Sequence, residues 1–177
     1  MIQCPLMITI YTDGSSRGNP GPGGYAAVVS YQKIVDSGQE EWIAEIGGKE
    51  EHTTNNRMEL AACIHALEFA SKLSTDNYLL FTDSEYVMKG ITEWIHKWQV
   101  KGWKTAGKKK VLNQDLWQEL LRVTEGKNIE WKYVAGHAGH SWNERADVIA
   151  TDFADLPRAG RGADSIVLYN GPKDKYK

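Results

Sequence analysis

Four acidic residues stand where a folded sheet would bring side chains together. Asp13 follows the apolar segment Leu6–Thr12, Asp83 follows Tyr78–Thr82, Glu59 falls in the first turn of an apolar helical run, and Asp147 lies near the start of the last helical run. Ends of central strands and beginnings of the adjacent helices border a common crevice in open α/β sheets. Carboxylates meeting in such a crevice repel one another, so they either hold protons at neutral pH or surround cations. An all-oxygen donor set without a cysteine cluster favours Mg²⁺ or Mn²⁺ over zinc or an iron–sulfur centre. Two such ions can activate water and stabilise the leaving oxygen in phosphodiester cleavage, with Asp13 suited to touch both. Each acid also has a plainer role: an Asp beside Gly or Ser ends a turn, Glu59 complements a helix dipole, and Asp147 can pair with Arg145.

His137 and His140 bracket Ala138-Gly139 just before the last carboxylate. Their spacing resembles half a zinc site, but no cysteine lies nearby. On a glycine-flanked loop His137 is a candidate proton carrier, because an unperturbed imidazole titrates near 6.5. His140 reads as a brace for the loop or the helix that follows. The two cysteines, Cys4 and Cys63, form no disulfide framework, and Cys63 sits in an apolar helical run as a small buried hydrophobe.

A polymer surface is suggested by charge segregation. The net charge is only −2, yet residues 96–110 hold six Lys and no acid, whereas residues 36–51 hold six acids against one Lys. Trp94, Trp98 and Trp103 interleave with Lys97, Lys101, Lys104, Lys108, Lys109 and Lys110. Indoles can line a groove for sugars or bases while ammonium groups meet phosphates. The same indoles could equally pack a helix against its neighbour. Residues 53–57, TTNNR, place hydroxyl, amide and guanidinium groups before a helix N-terminus, which suits a phosphate or a cap. Asn19 in the first glycine-rich turn could join either arrangement.

These residues need a scaffold. Leu6–Thr12, Tyr25–Gln32 and Trp42–Ile46 read as an antiparallel meander, with RGNPGPGG as the first turn and AAVVS buried on both faces. The spacing predicts a helix from Asn56 to about Lys72, a strand over 78–82, and a Ser84-capped helix over 85–89 stopped by Gly90. A helix over Thr92–Gln99, a basic loop over Lys101–Lys110 and an amphipathic helix ended by Gly126 follow. Ile129–Val134 alternates as a strand, and a Ser141/Glu144 capping box launches a helix to about Ala154. The order β-β-β-α-β-α-α-α-β-α implies an α/β fold with a five-stranded mixed sheet, an antiparallel meander plus parallel strands, and helices packed on it.

At 177 residues the chain has the size of one globular domain. No apolar run is long enough to span a bilayer and no secretory pattern opens the chain, so the cytoplasm is the default compartment. Residues 1–156 are expected to form the catalytic domain. Residues 157–177 are expected to be a flexible extension, whose Arg158, Arg161, Lys173, Lys175 and Lys177 could touch nucleic acid and whose Ser165–Tyr169 could be a strand or docking segment.

Five stretches in order resemble bacterial type 1 ribonuclease H: residues 11–29, 53–62, 79–98, 102–117 and 131–147. The resemblance covers roughly residues 6–154 and implies the ribonuclease H-like fold. It implies metal-dependent cleavage of the RNA strand of RNA–DNA hybrids, leaving 5′-phosphate and 3′-hydroxyl ends. Asp13, Glu59, Asp83 and Asp147 would hold two Mg²⁺ ions, or Mn²⁺, with substrate, and His137 would be the mobile-loop histidine. The Lys/Trp segment would be the basic protrusion that handles substrate. Asn19, Thr54 and Asn55 would contact the strand backbones, and amides after Asp13 would read 2′-hydroxyls. A monomer is the default expectation. Ser141-Trp142 departs from the family's usual Pro-Glu pair, so Trp142 could alter the histidine loop or touch substrate. Alternatives are a DNA-cutting nuclease of the same fold, a non-catalytic hybrid-binding module and an interaction protein.

Overall fold

The computed structural model describes residues 7–73, 75–136, 139–157 and 166–176. Three long antiparallel strands come first: β1 (Ile8–Ser16), β2 (Gly21–Val35) and β3 (Gly38–Thr53). Helix α1 (Asn55–Ala70) leads to β4 (Asn77–Thr82), then α2 (Glu85–Lys89), a π turn over Gly90–Trp94, and α3 (Ile95–Val100). Helix α4 (Gln114–Thr124), β5 (Asn128–Tyr133), α5 (Ser141–Asp155) and β6 (Ile166–Pro172) complete the chain, with a single 3₁₀ turn at Lys173–Lys175. The sheet order is β5-β4-β1-β2-β3-β6, parallel on the β4 side of β1 and antiparallel from β1 outward to β6.

The mixed sheet, the meander and the packed helices agree with the sequence pattern, but the sheet has six strands rather than five. The extra strand, β6, comes from the expected flexible extension and hydrogen-bonds along β3. The meander strands are also longer than expected. Residues 21–24, read as turn residues, continue β2, and at Gly24 of β2 and Gly47 of β3 helix α5 crosses too closely for side chains. A Cβ on Gly24 would fall 2.2 Å from the Ala150 carbonyl oxygen, and one on Gly47 2.3 Å from the Phe153 ring.

Strand β2 is buried on both faces, as AAVVS predicts. Ala27 and Val29 face Ile8, Ile10 and the α1 side chains Leu60, Ile64 and Leu67, whereas Ala26 and Val28 meet Ala146, Ile149, Ala150 and Phe153 of α5. Alternation along one strand thus builds two apolar layers on opposite sides of the sheet. Ser84 caps α2 as expected, accepting from the Val87 amide at 3.3 Å. Gly90 does not stop the helix. It keeps right-handed helical geometry and opens the π turn, where its lack of a side chain admits Trp117 (a Cβ would lie 1.9 Å from the indole). The capping box at α5 is also revised. His140 is the cap residue, Ser141 is already helical, and Glu144 accepts from the Gly139 amide at 3.1 Å.

Candidate active site

Register between parallel strands makes the first contact. Thr12, in the middle of β1, pairs with Thr82, the last residue of β4, so Asp13 within β1 and Asp83 just beyond β4 emerge side by side. Glu59 arrives from the first turns of α1. That approach depends on Gly14: a Cβ there would sit 2.3 Å from the Glu59 backbone nitrogen. The N-terminus of α1 is fixed by Thr54, whose hydroxyl accepts from the Arg57 amide at 3.4 Å.

Carboxylate oxygens of Asp13, Glu59 and Asp83 all lie within 4.8 Å of one another. Asp147, from α5, borders the same cleft of about 340 Å³, with Gly14, Ser15, Asn55, Asn143 and Glu144. Its carboxyl is in hydrogen-bond reach of Asp13, although it stands outside the tight three-way cluster. Asp13 is 6% exposed and Glu59 5%. Burial, followed by the charges of Asp83 and Asp147, pushes the Asp13 carboxyl up to about 8. Burial, then Asp13 and Asp83, likewise raises Glu59 well above the usual carboxylate range. The neighbouring Gly14 backbone amide opposes the rise in both groups.

A divalent cation fits this donor set. Glu59 Oε1 accepts from Asn55 Nδ2 at 3.4 Å, but its buried Oε2 has no hydrogen-bond partner among the described residues. A buried, unpaired carboxylate oxygen beside two further carboxylates is costly until a positive charge reaches it. Hard oxygen donors suit Mg²⁺ or Mn²⁺.

Sequence reasoning passed over Asn143, which is 2% exposed and donates through Nδ2 to Asp83 Oδ2 at 3.3 Å. Its position four residues before Asp147 puts both on one side of α5 and was the available signal. Arg145 does not pair with Asp147, because it is held by Glu45. His137 lies outside the described residues. His140 is exposed and makes no side-chain cap bond.

Around the cleft, Asn19 Oδ1 accepts from the Asn55 amide at 3.2 Å, which joins the first turn to the start of α1. The guanidinium of Arg57 forms a two-point ion pair with Asp115 (3.0 and 2.8 Å) and braces α1 against α4, so TTNNR keeps only its hydroxyl and amide groups for a phosphate.

The aromatic segment has two sides. Trp94, Trp98 and Trp103 pack in series, 5.7 and 6.5 Å between ring centres, and Trp98 meets the fully buried Trp117 edge-on. All three are half-buried, and Trp98 and Trp103 anchor the segment to the core. Lys97, Lys101, Lys104, Lys108, Lys109 and Lys110 are exposed and pair with no carboxylate among the described residues. The backbone beneath them is tied by Trp103 to Trp98 (2.7 Å) and by a Lys104–Lys110 bridge.

A cluster of carboxylates from adjacent parallel strands and the helix beside them, on this sheet and near a basic arm, defines a metal-dependent nuclease. The ribonuclease H family model matches residues 6–155. The chain is 51% identical over 154 residues to a ribonuclease H of Chromohalobacter salexigens, covering 87% of this chain and 88% of the relative. A solved type 1 ribonuclease H with the type 2 active-site motif is similar with TM-score 0.73 and 33% identity, covering 87% of this chain and 74% of that one. Another solved ribonuclease H, in complex with an RNA/DNA hybrid, is similar with TM-score 0.56 and 25% identity, covering 84% and 96%. The chain belongs to the ribonuclease H family.

Proposed function

We propose that the protein cuts the RNA strand of RNA–DNA hybrids internally, with two Mg²⁺ ions held by Asp13, Glu59, Asp83 and Asp147 when substrate is bound. The carrying observation is the cluster of three carboxylates within 4.8 Å, with an unpartnered oxygen on Glu59. Divalent ions bound there supply an activated water and neutralise charge on the leaving oxygen.

The chain's own residues prepare this. Asp13, central to the cluster and touched by Asp147, is the acid placed to join both halves of the site. Glu59 and Asp83 form one flank, where Asn55 and Asn143 fix carboxylate oxygens by their amides. Asp147 forms the other flank on the rigid frame of α5. His137 is assigned to proton transfer or to release of the product phosphate.

The exposed lysines of residues 97–110 take the phosphates of the strand that is not cut, without reading bases. Asn19, Thr54 and Asn55, at the cleft edge, hold the backbones near the scissile bond. Trp94, Trp98 and Trp103 act through their packing, which holds the lysine arm in place, and through their exposed edges.

Cleavage of strand-labelled RNA–DNA hybrid, double-stranded RNA and double-stranded DNA tests this. The RNA of the hybrid alone should be cut, only with Mg²⁺ or Mn²⁺, and Asp13→Asn should abolish the reaction while leaving circular dichroism unchanged. Retained Mg²⁺-dependent turnover in the Asp13→Asn protein would overturn the assignment.

A further inference from the structure

The end of the chain is built into the protein beside the site. Strand β6 runs antiparallel to β3, from Trp42 opposite Pro172 to Gly47 opposite Ile166. Tyr31 donates to Asn170 Oδ1 at 2.7 Å, and Lys173 reaches Glu41 at 2.8 Å. The 3₁₀ turn then delivers Tyr176 onto α5. Its hydroxyl donates to Glu45 and accepts from Arg145 Nε at 3.0 Å. Its ring stands edge-on to Trp142 and Tyr169, each 5.2 Å away.

These contacts are neither loose nor dispensable to their partners. Glu45 is 3% exposed, and its buried charge is matched by Arg145, whose Nη2 donates to Oε2 at 2.9 Å. The cap residue of α5, His140, supplies no side-chain hydrogen bond, and the local tie of this turn is the Glu144 contact with the Gly139 amide. Trp142 and Arg145, three apart, occupy the side of this turn that meets Tyr176. Asn143 and Asp147, four apart, occupy the side that borders the catalytic cleft. A helix moves as a unit over two turns, so a shift on one side is felt on the other.

We propose that β6 and Tyr176 form a strap that sets the first two turns of α5, and that Tyr176 and Trp142 are positioning residues for Asn143 and Asp147. This rests on the functional reading of Asp147 given above. It also gives Trp142 a role on the strap rather than on substrate, and makes the chain end a working part of the enzyme.

The test uses the full chain with Tyr176→Phe, which keeps the ring and removes the hydroxyl, and Trp142→Ala. Tyr31→Phe is the control, since it removes one side-chain hydrogen bond to Asn170 and leaves the β3–β6 ladder and the Tyr176 contacts with Glu45, Arg145 and Trp142 in place. Amide hydrogen exchange of residues 142–148 is measured without metal, beside melting temperature and the Mg²⁺ dependence and KM of hybrid cleavage. Tyr176→Phe and Trp142→Ala should speed exchange in this segment about tenfold, the equivalent of one hydrogen bond removed. They should raise the half-saturating Mg²⁺ concentration several-fold at unchanged hybrid KM. Tyr31→Phe should lower the melting temperature and change neither. If all three variants differ from the wild type only in melting temperature, the strap is a stability element and the proposal is refuted. Failure of the wild type to cut hybrids would instead remove the functional reading, and the exchange data would still decide whether the strap holds α5.

Discussion

Removing the charge of Asp13 should stabilise the metal-free protein while destroying its activity. Asp13 is buried beside Asp83 and Asp147, and its carboxyl is held up at about 8 against an ordinary value of 3.8. Between these values the folded protein keeps a proton that the unfolded chain has released, so stability falls as pH rises from about 4 to about 8 and then levels. At pH 8 the gap spans roughly four pH units, each worth about 1.4 kcal/mol, which sets a ceiling near 5 kcal/mol. Water entry and side-chain movement reduce that, so a gain of about 2–4 kcal/mol is expected for Asp13→Asn at pH 8. Urea denaturation in chelator-treated buffer at pH 4.5 and pH 8 reads the difference directly. The variant should exceed the wild type at pH 8 and differ from it little at pH 4.5. Adding Mg²⁺ should raise the wild type and narrow the gap, because the cation does what the substitution did. Equal stabilities at pH 8 without metal would refute the claim that the acids are crowded and underneutralised.

Gly14→Ala should cost at least about 3 kcal/mol and inactivate the enzyme, since its Cβ would meet the Glu59 backbone at 2.3 Å; melting temperature and hybrid cleavage check this together. Glu45, although buried, is held below the ordinary carboxylate value by Arg145 and Tyr176. Its contribution is therefore complete above pH 4.5 and is lost as pH falls through the depressed value. Thermal melts from pH 6 to pH 3 should drop less steeply for Glu45→Gln than for the wild type. Replacing Lys104, Lys108 and Lys109 by Ala should raise the hybrid KM and leave kcat unchanged. It should also flatten the salt dependence of binding by about 0.7–0.9 in log–log slope for each phosphate that a lysine no longer neutralises.

The carboxylates were legible because their positions follow apolar segments whose ends point into one crevice, and Asp13, Glu59 and Asp83 meet there. What could not be read was the support. Residues 21–24 look like a turn in one dimension, and at Gly24 it is the crossing of α5 that requires glycine inside a strand. Gly90 looks like a helix stop, yet it is needed so that Trp117 can approach the π turn. Arg57 looked like a phosphate ligand until Asp115, distant in sequence, claimed it. Strand β6 was legible only as an open alternative, a strand or a docking segment over Ser165–Tyr169, for a similar reason. A short apolar run has little signal of its own, and what makes it a strand is the open edge of β3, together with Tyr176 meeting Glu45 and Arg145. Local pattern therefore located the acids, while pairings across the chain determined how they are held.

The most direct measurement is an anomalous-scattering map from crystals soaked in Mn²⁺ at a concentration that supports cleavage. A peak bonded to carboxylate oxygens of Asp13, Glu59 and Asp83 is the expected result. Density at this cleft showing water alone, with activity undiminished in the same soak conditions, would contradict the claim that these acids bind the catalytic cation.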